Sequence, residues 1–120
     1  MTDAPIMIRR DFVYTPMTAK SGGGQLRIDL HVAHARMAVT GELDLATVHL
    51  LREAAVVLVA ETAQEIFIDL AGLQFIDAAG LGEIVRLRVT LIAAGRRLTL
   101  SRPSPSIRRT FAAGGLDELL

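Results

Sequence analysis

From Gln25 onward apolar and polar residues alternate, with Leu26, Ile28, Leu30 and Val32 set against Arg27, Asp29 and His31. A period of two marks a strand with one buried face, so this stretch predicts a β-strand. "AHA" at 33–35 turns the chain, and "RMAVTG" at 36–41 predicts a second short strand returning beside the first. The period then lengthens. "ELDLATVHLLREAAVVLVAE", 42–61, reads as a helix capped by Asp44, whose side-chain oxygen can take a free N–H of the first turn. "EIFIDL", 65–70, predicts the central strand, and "DAAGLGEIVRLRVTLIAAG", 77–95, a second helix stopped at Gly95. "RRLTLS" predicts a fourth strand, "SPSIRRTFAAGG" a third helix with Pro105 in its first turn, and "LDELL" a closing turn or short helix.

Residues 1–24 are weakly patterned and end in "SGGG", the composition of a flexible joint, although "IMIRRDFVY" could add an edge strand. The division is therefore an N-terminal segment, 1–24, and a domain, 25–120. Two β-α-β crossovers in the order β-β-α-β-α-β-α predict an α/β fold. Its sheet is expected to be mixed and largely parallel, of four to five strands, with helices mainly on one face.

Helical wheels refine the two long helices. On the second, Ile84, Leu87 and Leu91 share one face, and Glu83, Arg86 and Thr90 the opposite one; Ala79 falls with the latter, as a solvent-facing platform at the helix start. Arg88 lies within the apolar face, where it either snorkels outward or pairs with a buried acid such as Asp69. On the first helix Val48, Leu51, Ala55 and Leu58 form a core face. Leu50, Ala54 and Val57 extend the apolar surface round the side, which marks either a partner site or a surface covered by the N-terminal segment.

A chain of 120 residues suits one domain, and its 51% hydrophobic content can build a core. The formal net charge of zero gives no general attraction to nucleic acid or anionic membrane. Arg96, Arg97, Arg102, Arg108 and Arg109 lack interleaved aromatics and read as solvated surface, so no direct nucleic-acid binding is expected. There is no cysteine, and His31, His34 and His49 are scattered, so neither a metal site nor a cofactor is expected. The longest apolar run, Ala54 to Ala60, is far short of the ~20 residues of a membrane span. With no apolar leader at the N-terminus, a cytoplasmic protein is expected.

"GELD" (Gly41 to Asp44), "IDLAGLQFIDAAGLGEI" (Ile68 to Ile84), "AGRRLTL" (Ala94 to Leu100) and the ending "FAAGGLDELL" together resemble the STAS domain of anti-sigma factor antagonists. In that family the turn usually reads D-S-S-G, and its second serine is phosphorylated by the anti-sigma factor, a kinase. The matching residues are Asp77, Ala78, Ala79 and Gly80, so the phosphoacceptor position is Ala79, which has no hydroxyl. The resemblance implies a partner interface of Asp44, Asp77, Ala78, Ala79 and Gly80, with Glu83 beside them.

Asp77 also has a plainer reading as the helix cap, and Asp44 carries the same two readings. The resemblance further implies a partner of kinase-like fold or another STAS-binding protein, in transcription regulation or stress signalling, with a homodimer left open. A second reading is a STAS subunit of a larger assembly, such as a stress-signalling complex or a lipid-transport ATPase accessory. Around Asp77 the sequence supplies no paired base or nucleophile, so no enzyme is expected.

Overall fold

The alternation beginning at Gln25 becomes a strand, β2 (Gln25–His31), which turns through Val32–His34 into β3 (Arg36–Leu43). A computed structural model of the chain describes residues 16–63 and 65–120. The other elements are β1 (Met17–Lys20), α1 (Val48–Glu61), β4 (Ile66–Ile76), α2 (Ala78–Ala93), β5 (Leu98–Ser101) and α3 (Pro105–Ala113), with a closing turn at Asp117–Leu119. The sheet order is β1-β2-β3-β4-β5. β1–β2 and β2–β3 are antiparallel, whereas β3–β4 and β4–β5 are parallel, giving a mixed sheet.

The two crossovers step the same way across the sheet. Right-handed connections of that kind leave α1 and α2 side by side on one face. One continuous core lies between sheet and helices, built from Leu26, Ile28 and Leu30 of β2, Met37 and Val39 of β3, Ile66 and Ile68 of β4, Leu58 of α1, Leu91 of α2 and Phe111 of α3. The alternate residues of the strands, among them Arg27, Arg36 and Phe67, form the other face, where the Arg36 guanidinium lies 5.6 Å from the Phe67 ring centre.

"IMIRRDFVY" lies outside the described residues. The strand that pairs with β2 is Met17–Lys20, and "SGGG" forms the hairpin loop between them. There Ser21 N donates to Gly24 O at 3.0 Å, Gly24 N donates to Ser21 Oγ at 2.9 Å, and the Ser21 hydroxyl donates to Glu42.

Three boundaries differ from the sequence reading. The first helix starts at Val48, because residues 44–47 form a separate turn in which Asp44 Oδ1 accepts from Ala46 N at 3.0 Å and Thr47 N at 3.1 Å. Asp44 thus caps that turn rather than the helix. The central strand continues beyond Leu70 to Ile76, since two register irregularities against β3 let pairing resume at Gly72 and again at Phe75. The fourth strand is confined to Leu98–Ser101, while Arg96 turns back to donate to Val59 O at 3.1 Å and Thr62 Oγ1 at 2.8 Å, satisfying the end of α1.

The wheel reading of α1 also needs correction. Leu50 and Ala54 are 6% and 0% exposed, so they belong to the core and not to a surplus surface. The exposed large apolar residue of this helix is Val56, at 62%. Arg88 pairs with Glu118 at 3.7 Å, and Asp69 is held instead by Arg102.

Candidate functional site

Because β3 and β4 are parallel neighbours, their C-terminal ends lie side by side, with Leu43 registered against Ile76. Each strand leads into a helix, so the Asp44–Thr47 turn and the start of α2 are brought together. This carboxyl edge is where open α/β sheets characteristically place their sites.

Asp77 joins the two loops. Its Oδ1 accepts from Gly80 N at 3.0 Å, the helix cap expected from the sequence, and its Oδ2 accepts from Leu45 N at 3.1 Å. Asp77 N also donates to Leu43 O at 3.2 Å. One carboxylate therefore fixes the α2 start and the tip of the β3–α1 loop together. The neighbouring turn is held separately by Thr47, whose buried hydroxyl donates to Glu42 O at 2.9 Å and accepts from Asp44 N at 3.0 Å.

Gly80 sets how closely α2 approaches the strands. A Cβ there would lie 2.8 Å from both Leu43 O and Ile76 Cγ1, so the glycine is required by contact. Gly82 has open space around its Cβ position. The two glycines of "GLG" consequently have different roles in packing.

On this scaffold Ala78 is exposed and Ala79 half-buried rather than fully open to solvent. Two large apolar side chains flank them that the sequence reading missed: Leu45 at the loop tip, 77% exposed, and Phe75 near the end of β4, 50% exposed. A leucine between an aspartate and an alanine in a turn was the available signal for the first. The second was hidden, because pairing irregularities in β4 change the face on which its residues fall.

Glu83 departs most from expectation. The wheel put it on the solvent face, yet it is 7% exposed, because α1 packs alongside α2 and closes over it. Its Oε1 accepts from Arg52 Nη2 at 2.9 Å and Arg52 Nε at 3.3 Å, with Arg86 Nε at 3.8 Å. The hydrogen bond and charge of Glu83 raise the Arg52 pKa above its ordinary value. Next to this cluster a groove of about 370 Å³ runs between the helices, lined by Ala55, Val56, Val59 and Ala60 of α1 and by Leu87 and Thr90 of α2.

A second ion pair sits on the open sheet face. Arg102 Nε donates to Asp69 Oδ1 at 3.2 Å, and Nη2 to Oδ2 at 2.5 Å. Bidentate bonding by Arg102 lowers the Asp69 pKa against the opposing effect of burial, helped by Ala71 N–H and the charges of Arg102 and Arg36. Among the described residues no group of three or more His, Asp or Glu could hold a metal ion, and no helix is long and apolar enough to cross a membrane.

A five-stranded mixed sheet with three helices on one face, and a capped D-x-x-G turn where β4 enters α2, define a STAS-type domain. The chain belongs to the STAS family: residues 26–120 match the family model described as Mlab, STAS domain. Among solved structures, the anti-sigma factor antagonist SpoIIAA in its unphosphorylated form is 25% identical, with a TM-score of 0.64 over 78% of this chain and 84% of that one. The phosphorylated form of SpoIIAA, a Bacillus cell fate determinant, is 25% identical with a TM-score of 0.58 over 78% and 86%. An anti-sigma factor antagonist from Mycobacterium paratuberculosis shares the fold at 23% identity, with a TM-score of 0.59 over 93% and 86%. No curated protein matches the chain at significant similarity.

Proposed function

We propose that this chain is a protein-binding regulator of the anti-sigma factor antagonist type, acting by association rather than by turnover in cytoplasmic transcription or stress signalling. Its contact surface is the platform at the ends of β3 and β4. Ala79 keeps that surface permanently in the state of an unphosphorylated antagonist. The partner is an anti-sigma factor of kinase-like fold.

The observation that carries this reading is the pair of exposed apolar side chains, Leu45 and Phe75, beside the alanines of the D-A-A-G turn. Apolar anchors surrounded by polar residues are typical of the energetic centre of a protein interface. A phosphate at Ala79 would bring about −1.5 to −2 charges onto this surface and oppose its burial. With alanine there, binding is expected to be insensitive to the partner's kinase activity.

The family model's description as an Mlab STAS domain favours a second reading, a STAS subunit of a larger assembly such as a lipid-transport ATPase. Affinity purification from the source cell separates the two by the identity of the partner. Titrating that partner with Leu45→Glu and Phe75→Glu then tests the surface. Both substitutions are at exposed positions, so folding should persist while affinity falls at least about tenfold, as for a hot-spot residue. Unchanged affinity in both variants would remove the platform from the interface.

A further inference from the structure

The groove between α1 and α2 combines apolar walls with a buried acceptor that is only half used. Both hydrogen bonds that Glu83 accepts from Arg52 fall on Oε1, and Oε2 accepts no hydrogen bond from the described residues. Buried polar atoms in native structures nearly always have partners, and leaving one unmatched is costly. Glu83 lines the groove, so Oε2 is the acceptor open to a donor arriving there. At about 370 Å³ the space is within the range of ligand pockets, about 300–1,000 Å³.

The surrounding charge selects the donor. Two guanidiniums, Arg52 and Arg86, already stand against the single Glu83 carboxylate, so a lysine or arginine anchor would meet a net positive field. The donor should be neutral. Both arginines are more than half exposed at the groove rim, where an aromatic face can stack on a guanidinium. A large apolar body, a π-face, one N–H donor and no acceptor together describe an indole ring.

We propose that the α1–α2 groove docks a tryptophan side chain of a partner protein, with the indole N–H donated to Glu83 Oε2. The natural occupant rests on the protein-binding reading above. Ala79 and Glu83 lie one helical turn apart, so a partner seated on the platform reaches the groove. The groove itself can be tested without that partner.

The chain has no tryptophan, so indole emission from a probe is unobscured. N-acetyl-tryptophanamide and its 1-methylindole counterpart would be titrated into the full chain, following probe fluorescence and amide NMR shifts. The expected result is saturable one-to-one binding with shifts at Arg52, Val56, Leu87 and Thr90. The methylated probe should bind at least about tenfold more weakly, the effect of losing a hydrogen bond to a charged acceptor. Val56→Glu, at an exposed position that leaves the fold intact, should abolish binding.

Equal binding of the two probes, absence of saturation, shifts located elsewhere, or tighter binding of N-acetyl-tyrosinamide would each overturn the assignment. Such a failure leaves the platform reading standing, because that reading fails only through the Leu45, Phe75 and Ala79 variants.

Discussion

The two glycines of "GLG" should respond in opposite directions to the same substitution. Gly80 and Gly82 both lie in the first turns of α2, where alanine is favoured over glycine by up to about 1 kcal/mol. At Gly82 an added methyl meets open space, so Gly82→Ala should stabilise by roughly 0.5–1 kcal/mol. At Gly80 it would stand 2.8 Å from Leu43 O, 2.8 Å from Ile76 Cγ1 and 2.9 Å from Leu43 Cγ, all in the wall on which α2 rests. Leu43 O also accepts from Asp77 N, so moving it disturbs the cap. Overpacking of this kind costs about 1–3 kcal/mol, leaving Gly80→Ala destabilised by roughly 1–2 kcal/mol after the helix gain. Urea denaturation followed by circular dichroism would read this as midpoints shifted to opposite sides of wild type, by roughly 0.5 M each at a typical m-value. A Gly80→Ala protein as stable as Gly82→Ala would refute the close approach of α2 to β3 and β4.

Asp77→Ala removes the acceptor for both Gly80 N and Leu45 N, so it should cost about 1–3 kcal/mol and loosen the β3–α1 loop. Thermal unfolding and amide exchange at Leu45 would measure both effects, and an unchanged exchange rate there would disprove the bridge. Acid titration tests Asp69. Its folded-state pKa is lowered, chiefly by Arg102, so its contribution is full above the unfolded value of about 4 and is lost as pH falls through the folded one. Asp69→Asn should therefore flatten the loss of stability at acid pH. An acid limb identical to wild type would show that the pair contributes nothing.

The parts of the fold that depend on local pattern were legible in the sequence. Alternation gave β2 and the start of β3, Asp77 announced its helix and caps it as expected, and the cap of α3 was not read beforehand: Ser104 Oγ accepts from Ile107 N at 3.2 Å. What escaped depended on a second neighbour. A helical wheel sees one helix against one core, so it could not foresee that α1 would cover Glu83 while Arg52 reached across to it. For the same reason Leu50 and Ala54 looked surplus, although the groove of α1 faces Leu87 through Val56 and Val59 instead. β4 was shortened because its pairing irregularities break the period of two after Leu70. Asp44, Asp77, Ala78, Ala79 and Gly80 were legible as a group through the motif. Leu45 and Phe75, the exposed large apolar side chains beside that group, became visible only once the two loops stood together.

Substitution at Ala79 tests the central claim most directly. Both Ala79→Ser and Ala79→Asp should fold, because small polar and acidic residues are tolerated in the first turn of a helix and an acid there favours the dipole. Binding of wild type and both variants to the purified partner would be measured by titration with and without ATP, with phosphorylation followed by mass spectrometry. The account predicts wild-type binding indifferent to ATP and affinity lowered at least about tenfold by Ala79→Asp, an order of magnitude typical of charge placed in a packed interface. With a kinase-active partner, Ala79→Ser should be phosphorylated and released. An Ala79→Asp protein that binds as tightly as wild type would contradict the claim that the α2 start is the contact surface.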